Sequence, residues 1–118
     1  MGENIASAYL IRNGFSVVDR NYSKPWGEID IIATKNRVTH FIEVKTLKRS
    51  FTTVTHETDK HHAEDNVHAT KLKRIARTMQ TYVLERNIGE EWCFDVVVVT
   101  LDPAGRKARV KFLENIVL

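Results

Sequence analysis

The sequence predicts a mixed α/β domain whose elements follow the order α-β-β-β-α-β-β. Two stretches repeat apolar residues at the three-to-four spacing of a helix, and five show the alternating or continuously apolar pattern of a strand. Clusters of glycine, proline, asparagine and aspartate separate these stretches and mark turns. At 118 residues the chain is expected to form a single domain over residues 1–118, large enough to bury one core.

The N-terminal half predicts one helix and three strands. Residues 3–13 repeat apolar side chains on one helical face, and Asn13-Gly14 is typical of a helix end. Turn residues follow the first strand, and a short connection predicts that the second and third strands form a hairpin. The three strands are expected at residues 15–22, 28–34 and 37–46.

The C-terminal half predicts a long irregular segment, a second helix and two strands. Residues 47–65 show no persistent period, which indicates either a functional loop or a partly disordered one. The helix is expected to start at a cap from Asp65 or Asn66 and to run to about residue 86 with one apolar stripe. The last two strands are expected at residues 92–101 and 107–113.

Composition and cysteine usage indicate a globular protein of a reducing compartment. Hydrophobic residues make up 42% of the chain and charged residues 28%, which is ordinary for a folded domain. Cys93 is the only cysteine, so an intrachain disulfide is excluded. The N-terminal residues carry no basic leader and no long apolar run, so we expect a cytoplasmic protein without a membrane segment.

Positive charge is concentrated in two stretches of the chain. The formal net charge is only +3, from 18 basic and 15 acidic residues. Residues 66–86 hold five basic residues against one acid, and residues 106–111 hold four basic residues and no acid. Such stretches attract phosphate backbones, although a solvated helix face or a charge-protected edge strand has the same pattern.

Three charged residues stand inside otherwise apolar strands. Asp30 interrupts the second strand, and Glu43 and Lys45 interrupt the third. Strand alternation places Glu28, Asp30 and Ile32 on one face, and it places Glu43 and Lys45 together on a face of the third strand. If the strands are neighbours, both carboxylates and the ammonium converge. A surface salt-bridge network would give the same pattern, but the spacing of the whole set favours an active centre.

These residues carry a resemblance to a known family. The strings at 27–33 (GEIDIIA) and 41–46 (FIEVKT) resemble the YraN-like family of small, predicted bacterial endonucleases. That family lies within the restriction-endonuclease-like superfamily, whose signature is Asp…(Asp/Glu)-x-Lys. The similarity extends over nearly the whole chain, although Leu47 stands where an arginine is common and residues 48–64 are longer and richer in histidine than is typical.

The resemblance implies a restriction-endonuclease-like three-layer fold and a nuclease that depends on Mg²⁺ or Mn²⁺. It implies that Asp30, Glu43 and the Val44 carbonyl bind the metal, and that Lys45 orients the attacking water or balances charge on the phosphate. Glu3 resembles a helical acid that completes the metal shell in resolvase-type nucleases; an acid favoured by the helix dipole is the open alternative. The remaining site residues are expected to support the metal ligands or to contact phosphates: Glu28 for the former, Lys71, Arg74 and Arg109 for the latter.

Two functional hypotheses follow, from different classes of protein. The first is an enzyme that cleaves nucleic acid, DNA in preference to RNA, with branched and single-stranded DNA as candidate substrates. The second is a binding module for nucleic acid or a protein partner that keeps the nuclease fold without turnover. The intact Asp30, Glu43 and Lys45 set favours the enzyme, because a binding module does not need carboxylates where phosphate would lie. A homodimer remains open.

Other candidate functional residues are weaker. The histidines at positions 56, 61, 62 and 68 do not have the spacing of a structural zinc motif, and a polar loop accounts for them better. Cys93 precedes Phe94, so we expect a buried thiol rather than a nucleophile. Asp95 lies near the start of an apolar strand and is expected to have a structural partner.

Overall fold

The fold is known from a computed structural model that describes residues 2–49, 69–104 and 106–116. Its element order is the predicted one, α-β-β-β-α-β-β, and most bounds agree with the sequence-based prediction within two residues. The elements are α1 Gly2–Arg12, β1 Ser16–Lys24, β2 Gly27–Lys35, β3 Val38–Lys48, α2 Ala69–Glu85, β4 Trp92–Asp102 and β5 Lys107–Leu113.

The five strands form one mixed sheet in the order β1-β2-β3-β4-β5. Strands β3 and β4 pair in parallel, and every other neighbouring pair is antiparallel. Parallel neighbours need a long crossover, and α2 lies in the segment that connects β3 to β4. Helices α1 and α2 cover opposite faces of the sheet. The structure therefore confirms the predicted mixed α/β class and its three layers.

Each sheet face packs against one helix, and we call the two sides the α1 face and the α2 face. On the α2 face, Phe41 and Val98 are buried together with Met79 of the helix. On the α1 face, Ile42 and Val97 are buried together with Leu10. The run of valines in β4 is continuous rather than alternating because both faces of this strand are covered.

Two tight connections have the backbone conformations that their residues favour. Gly14 has φ 89°, and the N–H of Phe15 donates to the Leu10 carbonyl at 3.0 Å, which ends α1 in a Schellman motif. Asn36 and Arg37 both have positive φ, 51° and 64°, between β2 and β3. A two-residue loop of this type matches the twist of a hairpin, so the predicted hairpin is confirmed.

Strand β3 is longer than predicted. It continues through Lys48, so Leu47 and Lys48 are strand residues rather than the start of the irregular segment. Pairing with β4 extends the strand, because Leu47 and Lys48 lie opposite Thr100 and Leu101. Arg49 is also described, and its N–H donates to the Leu101 carbonyl at 2.9 Å. The segment beyond Arg49, its histidines and the predicted helix cap lie outside the described residues. Within the described ranges, no helix has the length and apolar character needed to cross a membrane.

Candidate metal centre

Asp30 and Glu43 meet where strands β2 and β3 separate. The ladder between these strands runs from the hairpin to the pair Ile31–Ile42 and ends there. The next two residues in register are Asp30 and Glu43. The Asp30 carboxylate enters the gap, where its Oδ2 accepts a hydrogen bond of 2.8 Å from the Val44 N–H. The Asp30 side chain thus accepts the hydrogen bond that a β2 backbone carbonyl would accept if the β2–β3 ladder continued.

The separation coincides with a left-handed residue in the neighbouring strand. Asn21 in β1 lies opposite Asp30 in the register and has φ 52°. On either side of Asp30 the alternation of faces is broken, since Ile29 and Ile32 both pack on the α2 face while Ile31 packs on the α1 face. The regular alternation predicted for Glu28, Asp30 and Ile32 is therefore interrupted near Asp30, although Glu28 and Asp30 line the same cleft as Glu43. This irregularity lies opposite the left-handed Asn21 in the β1–β2 ladder.

The two carboxylates are held close together and away from water. Glu43 is buried, with 8% of its surface exposed. Burial, a hydrogen bond with Glu43 and the charge of Glu43 raise the pKa of Asp30 to about 8, against the opposing hydrogen bond from Val44. At neutral pH without a cation, the pair therefore retains a proton on Asp30. Such a pair is a strong site for a divalent cation, because the cation removes the repulsion.

Lys71 of α2 contacts the site in a way that the sequence did not predict. Its Nζ lies 2.6 Å from Glu43 Oε2, and about half of its side chain, 51%, is exposed. We predicted a phosphate contact, whereas the structure places the ammonium on a carboxylate. In the sequence, Lys71 has the pattern of any lysine on a solvated helix, so nothing indicated this ion pair. The pairing depends on how α2 crosses the sheet.

Lys45 follows Glu43 on the same strand and lies on the same face. Glu43 is opposite Val96 and Lys45 is opposite Val98, and both valines pack on the α2 face. Among the described residues, no carboxylate lies within 4.0 Å of the Lys45 ammonium. The predicted shared face is confirmed, but the salt-bridge network considered as the alternative is not formed by Lys45.

Glu3 and Glu28 lie beside the carboxylate pair and are held by β1. Glu3 Oε1 is 3.6 Å from the Arg20 guanidinium. The Asn21 amide nitrogen, in the orientation in which it donates, lies 3.0 Å from Glu3 Oε1 and 3.2 Å from Glu28 Oε1. The charge of Glu3 also contributes to the raised pKa of Asp30. The helical acid and Glu28 are thus both near the centre, as predicted, and Asn21 is the residue that sequence reasoning missed.

Gly2 allows the start of α1 to approach the centre. A Cβ atom at this position would overlap the hydroxyl group of Thr46, which follows Lys45 in β3. A residue without a side chain therefore lets the first turn of the helix rest on the strand that carries Glu43. This close approach explains how Glu3, the next residue, reaches the Asp30 region.

The carboxylate pair opens into a cleft of about 670 Å³ between α2 and the β1–β2 turn. Arg74 lines it together with Lys71, and Trp26 of the turn is stacked under the Arg77 guanidinium at 4.1 Å. The described lining residues are Ser23, Lys24, Pro25, Trp26, Gly27, Glu28, Asp30, Glu43, Thr70, Lys71, Arg74 and Ile75. Two carboxylates at the base and basic residues at the wall suit an anionic ligand bridged by a cation.

Arg109 lies on the same side of the sheet but at its far edge. It is opposite Thr100 in β4, and Lys111 is opposite Val98, which is itself opposite Lys45. Residues directly opposite one another share a face. Lys45, Lys111 and Arg109 therefore form a basic row on the α2 face, leading from the β3 end of the site toward the β5 edge.

These features define a small α/β domain with a carboxylate pair at a split in its central sheet. Residues 2–99 match the model of the uncharacterised protein family UPF0102, and the chain belongs to this family, the YraN-like family that its sequence resembles. It is 30% identical to a UPF0102 protein of Campylobacter fetus, over 98% of this chain and 88% of that protein. Identity to a UPF0102 protein of Aliarcobacter butzleri is 33%, over 100% and 94%. The relative from Wolinella succinogenes is 34% identical, over 98% and 92%.

Proposed function

We propose that this protein is a nuclease of the restriction-endonuclease-like superfamily that uses Mg²⁺ or Mn²⁺ to hydrolyse phosphodiester bonds in DNA. The observation that carries the proposal is the close pair of half-buried Asp30 and buried Glu43 at the split between β2 and β3. A fold has no structural reason to bury two acids against each other, because the arrangement costs folding free energy. A cation-dependent reaction provides a reason.

The donor atoms at the centre fit a hard divalent ion. Asp30 and Glu43 supply carboxylate oxygens. The Val44 N–H, which donates to Asp30, lies on the side of β3 that faces the gap. The N–H and C=O of one strand residue lie on the same side, so the Val44 carbonyl is also directed to this gap. Mg²⁺ and Mn²⁺ prefer such oxygen ligands, and a bound ion would polarise the phosphodiester and lower the pKa of water. Glu3 and Glu28 are near enough to orient its waters.

The two lysines take different roles in this proposal. Lys71 neutralises Glu43 in the metal-free protein and leaves it when a divalent ion takes its place. Its exposed ammonium is then available to the phosphate, together with Arg74 on the next turn of α2. Lys45 shares the face of Glu43 and forms no ion pair with either acid, so it is the lysine that can orient the attacking water.

Basic residues on the α2 face provide a path for the nucleic-acid backbone. Lys71 and Arg74 border the cleft, and the row formed by Lys45, Lys111 and Arg109 continues toward β5 on the same face. Phosphate contacts of this kind position a duplex without reading its sequence. Such contacts support the binding of DNA of any sequence, so that the shape of the DNA selects the substrate.

The test is an incubation of the protein with linear duplex, single-stranded, flapped and four-way junction DNA, with Mn²⁺, Mg²⁺ or EDTA. We expect cleavage of at least one substrate that requires a divalent ion and is lost in Glu43→Gln. Glu90→Gln serves as the matched control, because Glu90 is an exposed acid outside the cleft. Salt-dependent binding of these DNAs without metal-dependent cleavage would contradict the enzyme and favour the non-catalytic binding module. RNA versions of the same substrates test the choice of DNA.

A further inference from the structure

A second polar cluster lies on the opposite side of the sheet from the carboxylate pair. His40 of β3 is directly opposite Cys93 of β4, and Asp95 follows Cys93 by two residues. Strand alternation therefore puts all three on one face, and their neighbours Ile42 and Val97 show that it is the α1 face. Glu43 is on the α2 face, so the sheet itself separates the two clusters.

Three different donor atoms converge in this cluster. His40 Nδ1 lies 2.5 Å from Asp95 Oδ2 and 3.1 Å from Cys93 Sγ. Cys93 Sγ lies 3.7 Å from Asp95 Oδ1 and 3.9 Å from Asp95 Oδ2. The nitrogen, the sulfur and a carboxylate oxygen are all within 4.8 Å of one another.

These separations are close to those required around a tetrahedral metal ion. Zinc bonds of about 2.0–2.3 Å to nitrogen, oxygen and sulfur place ligand atoms roughly 3.4–3.6 Å apart. The sulfur-to-nitrogen and sulfur-to-oxygen distances are within about half an ångström of that range. The His40–Asp95 contact must open most, by about 0.9 Å, when a metal replaces the hydrogen bond, and the Cys93–His40 contact must open by about 0.3 Å.

The ligand side chains are already oriented by their surroundings. Asp95 is fully buried, and its Oδ1 accepts a hydrogen bond of 2.9 Å from the Asn115 N–H, which leaves Oδ2 directed at His40. The His40 ring packs edge-on against Phe15, with centroids 4.9 Å apart. Contacts of this kind hold metal ligands in position in known sites. Both strands are in the rigid centre of the sheet.

The cluster opens into a cavity whose lining carries two acids and one lysine. The cavity on the α1 face measures about 500 Å³ and is lined by Glu91, Glu114 and Lys35 as well as by His40 and Cys93. Burial and the charges of Asp95, Glu114 and Glu91 raise the pKa of Cys93 to about 12, so the metal-free residue is a neutral thiol. The same charges attract a cation, and the cavity gives a cation access to the sulfur.

We propose that His40, Cys93 and Asp95 form a second metal site, which binds a zinc-class divalent ion through imidazole, thiolate and carboxylate with a fourth position open to the cavity. The sulfur selects a softer ion than the all-oxygen centre around Asp30. On binding, a metal–sulfur bond replaces the S–H bond of Cys93, and the proton shared by His40 Nδ1 and Asp95 is replaced by bonds from both atoms to the metal. The thiol proton passes to solvent, the other proton moves to His40 Nε2 or to solvent, and no redox change occurs. The ion then cross-links β3 to β4. The proposal does not depend on nuclease activity.

Co²⁺ is the probe that tests this site, because its thiolate complexes absorb in the near ultraviolet. The chain has one cysteine, so any such absorption must come from Cys93. We expect the full-length protein to develop this band up to one Co²⁺ per chain, to lose it on adding Zn²⁺, and to show none in Cys93→Ser. His40→Asn keeps a donor for Asp95 but removes the imidazole, and it should weaken Co²⁺ binding at least tenfold.

Two control variants decide which ligands accompany the sulfur. Glu43→Gln should keep the cobalt band, since the carboxylate pair lies on the other face. His61→Ala/His62→Ala should keep it too. The proposal is overturned if excess Co²⁺ gives no thiolate band, if His40→Asn binds Co²⁺ as tightly as the wild type, or if the His61/His62 variant loses the band. Circular dichroism of each variant verifies that the fold is retained.

Discussion

Strand β3 contributes to a cluster of polar side chains on each of its faces, and the two clusters differ in how their acids are paired. On the α2 face, Glu43 lies against Asp30, so that an acid faces an acid. On the α1 face, Asp95 lies against His40 and also accepts the Asn115 N–H, so that an acid faces two donors. Glu43 and Asp95 are both buried. Only Asp95 has a hydrogen-bond partner for each of its carboxylate oxygens in the metal-free protein.

The difference shows how the acids of each cluster affect the stability of the fold. A matched group such as Asp95 stabilises the fold, because removing it leaves buried donors without an acceptor. An acid pair such as Asp30 and Glu43 opposes folding and is retained only where something else compensates. Lys71 compensates in part from the exposed side of Glu43. The five predictions below test this contrast, from the largest expected effect to the smallest.

The largest effect is expected from Lys45, the lysine that we propose to act in the reaction. Lys45→Ala should lower kcat by about 10²–10³-fold, the range seen when one preorganised donor is removed from an active centre. Lys71→Ala should change kcat only severalfold and act mainly on KM, because Lys71 contacts phosphate after leaving Glu43. Single-turnover cleavage of the best substrate in the DNA panel separates the two. If Lys71→Ala has the larger loss in kcat, the roles assigned to the lysines are exchanged.

The second prediction concerns opposite effects of two aspartates on stability in EDTA. Asp95→Asn should lower the free energy of unfolding by about 2–4 kcal/mol, because it disrupts a buried, hydrogen-bonded charge. In a domain of this size that corresponds to a fall in Tm of roughly ten degrees or more. Asp30→Asn should leave stability unchanged or raise it, since an amide can lie beside Glu43 without taking up a proton on folding. Urea titrations of both variants check this, and a destabilised Asp30→Asn protein would show that Asp30 is structural.

The third prediction is the pH dependence that the raised pKa of Asp30 imposes. The carboxyl has a pKa of about 8 in the folded protein and near 3.8 in the unfolded chain, so the folded state holds more protons between these values. The contribution of Asp30 to stability is therefore fully present below pH 4 and is lost as pH rises to about 8. Asp30→Asn should lack this component. Free energies of unfolding of the two proteins, compared in EDTA across this range, measure it.

Mn²⁺ should reverse that loss in the wild type. A ligand of the folded state alone stabilises by roughly 2.7 kcal/mol at about a hundred times its dissociation constant. The stabilisation should grow with pH, because a metal competes with the proton on Asp30, and it should be small in Asp30→Asn. A wild-type protein without any shift in Tm at millimolar Mn²⁺ would contradict the two-carboxylate centre.

The sequence was sufficient for the elements and for the acids of the centre, because both depend on local patterns. Apolar periodicity predicted seven elements in the right order, and the residue Asp30 was visible as a charge inside an apolar strand. The twist at Asn21 was not predictable in this way, since an asparagine with positive φ inside a strand has no periodic signal. Nor was the pairing of Lys71 with Glu43, or of His40 with Cys93, because each joins distant segments that only the sheet and helix packing bring together.

The smallest effect is expected from single basic residues on the α2 face. Removing one true phosphate contact should reduce the log–log salt slope of duplex DNA binding by about 0.9. We expect this change for Lys71→Ala with Mn²⁺ present, when Glu43 no longer holds the ammonium, and a smaller change in EDTA. Arg109→Ala should change the slope to the same extent with and without Mn²⁺, because Arg109 lies at the β5 end of the basic row, remote from Asp30 and Glu43. Arg12→Ala is the control, since Arg12 is an exposed cation at the end of α1 on the other side of the sheet. Equal slopes for all three variants would show that the α2 face does not guide DNA, whereas a metal-dependent change at Lys71 alone would confine the DNA contact to the cleft.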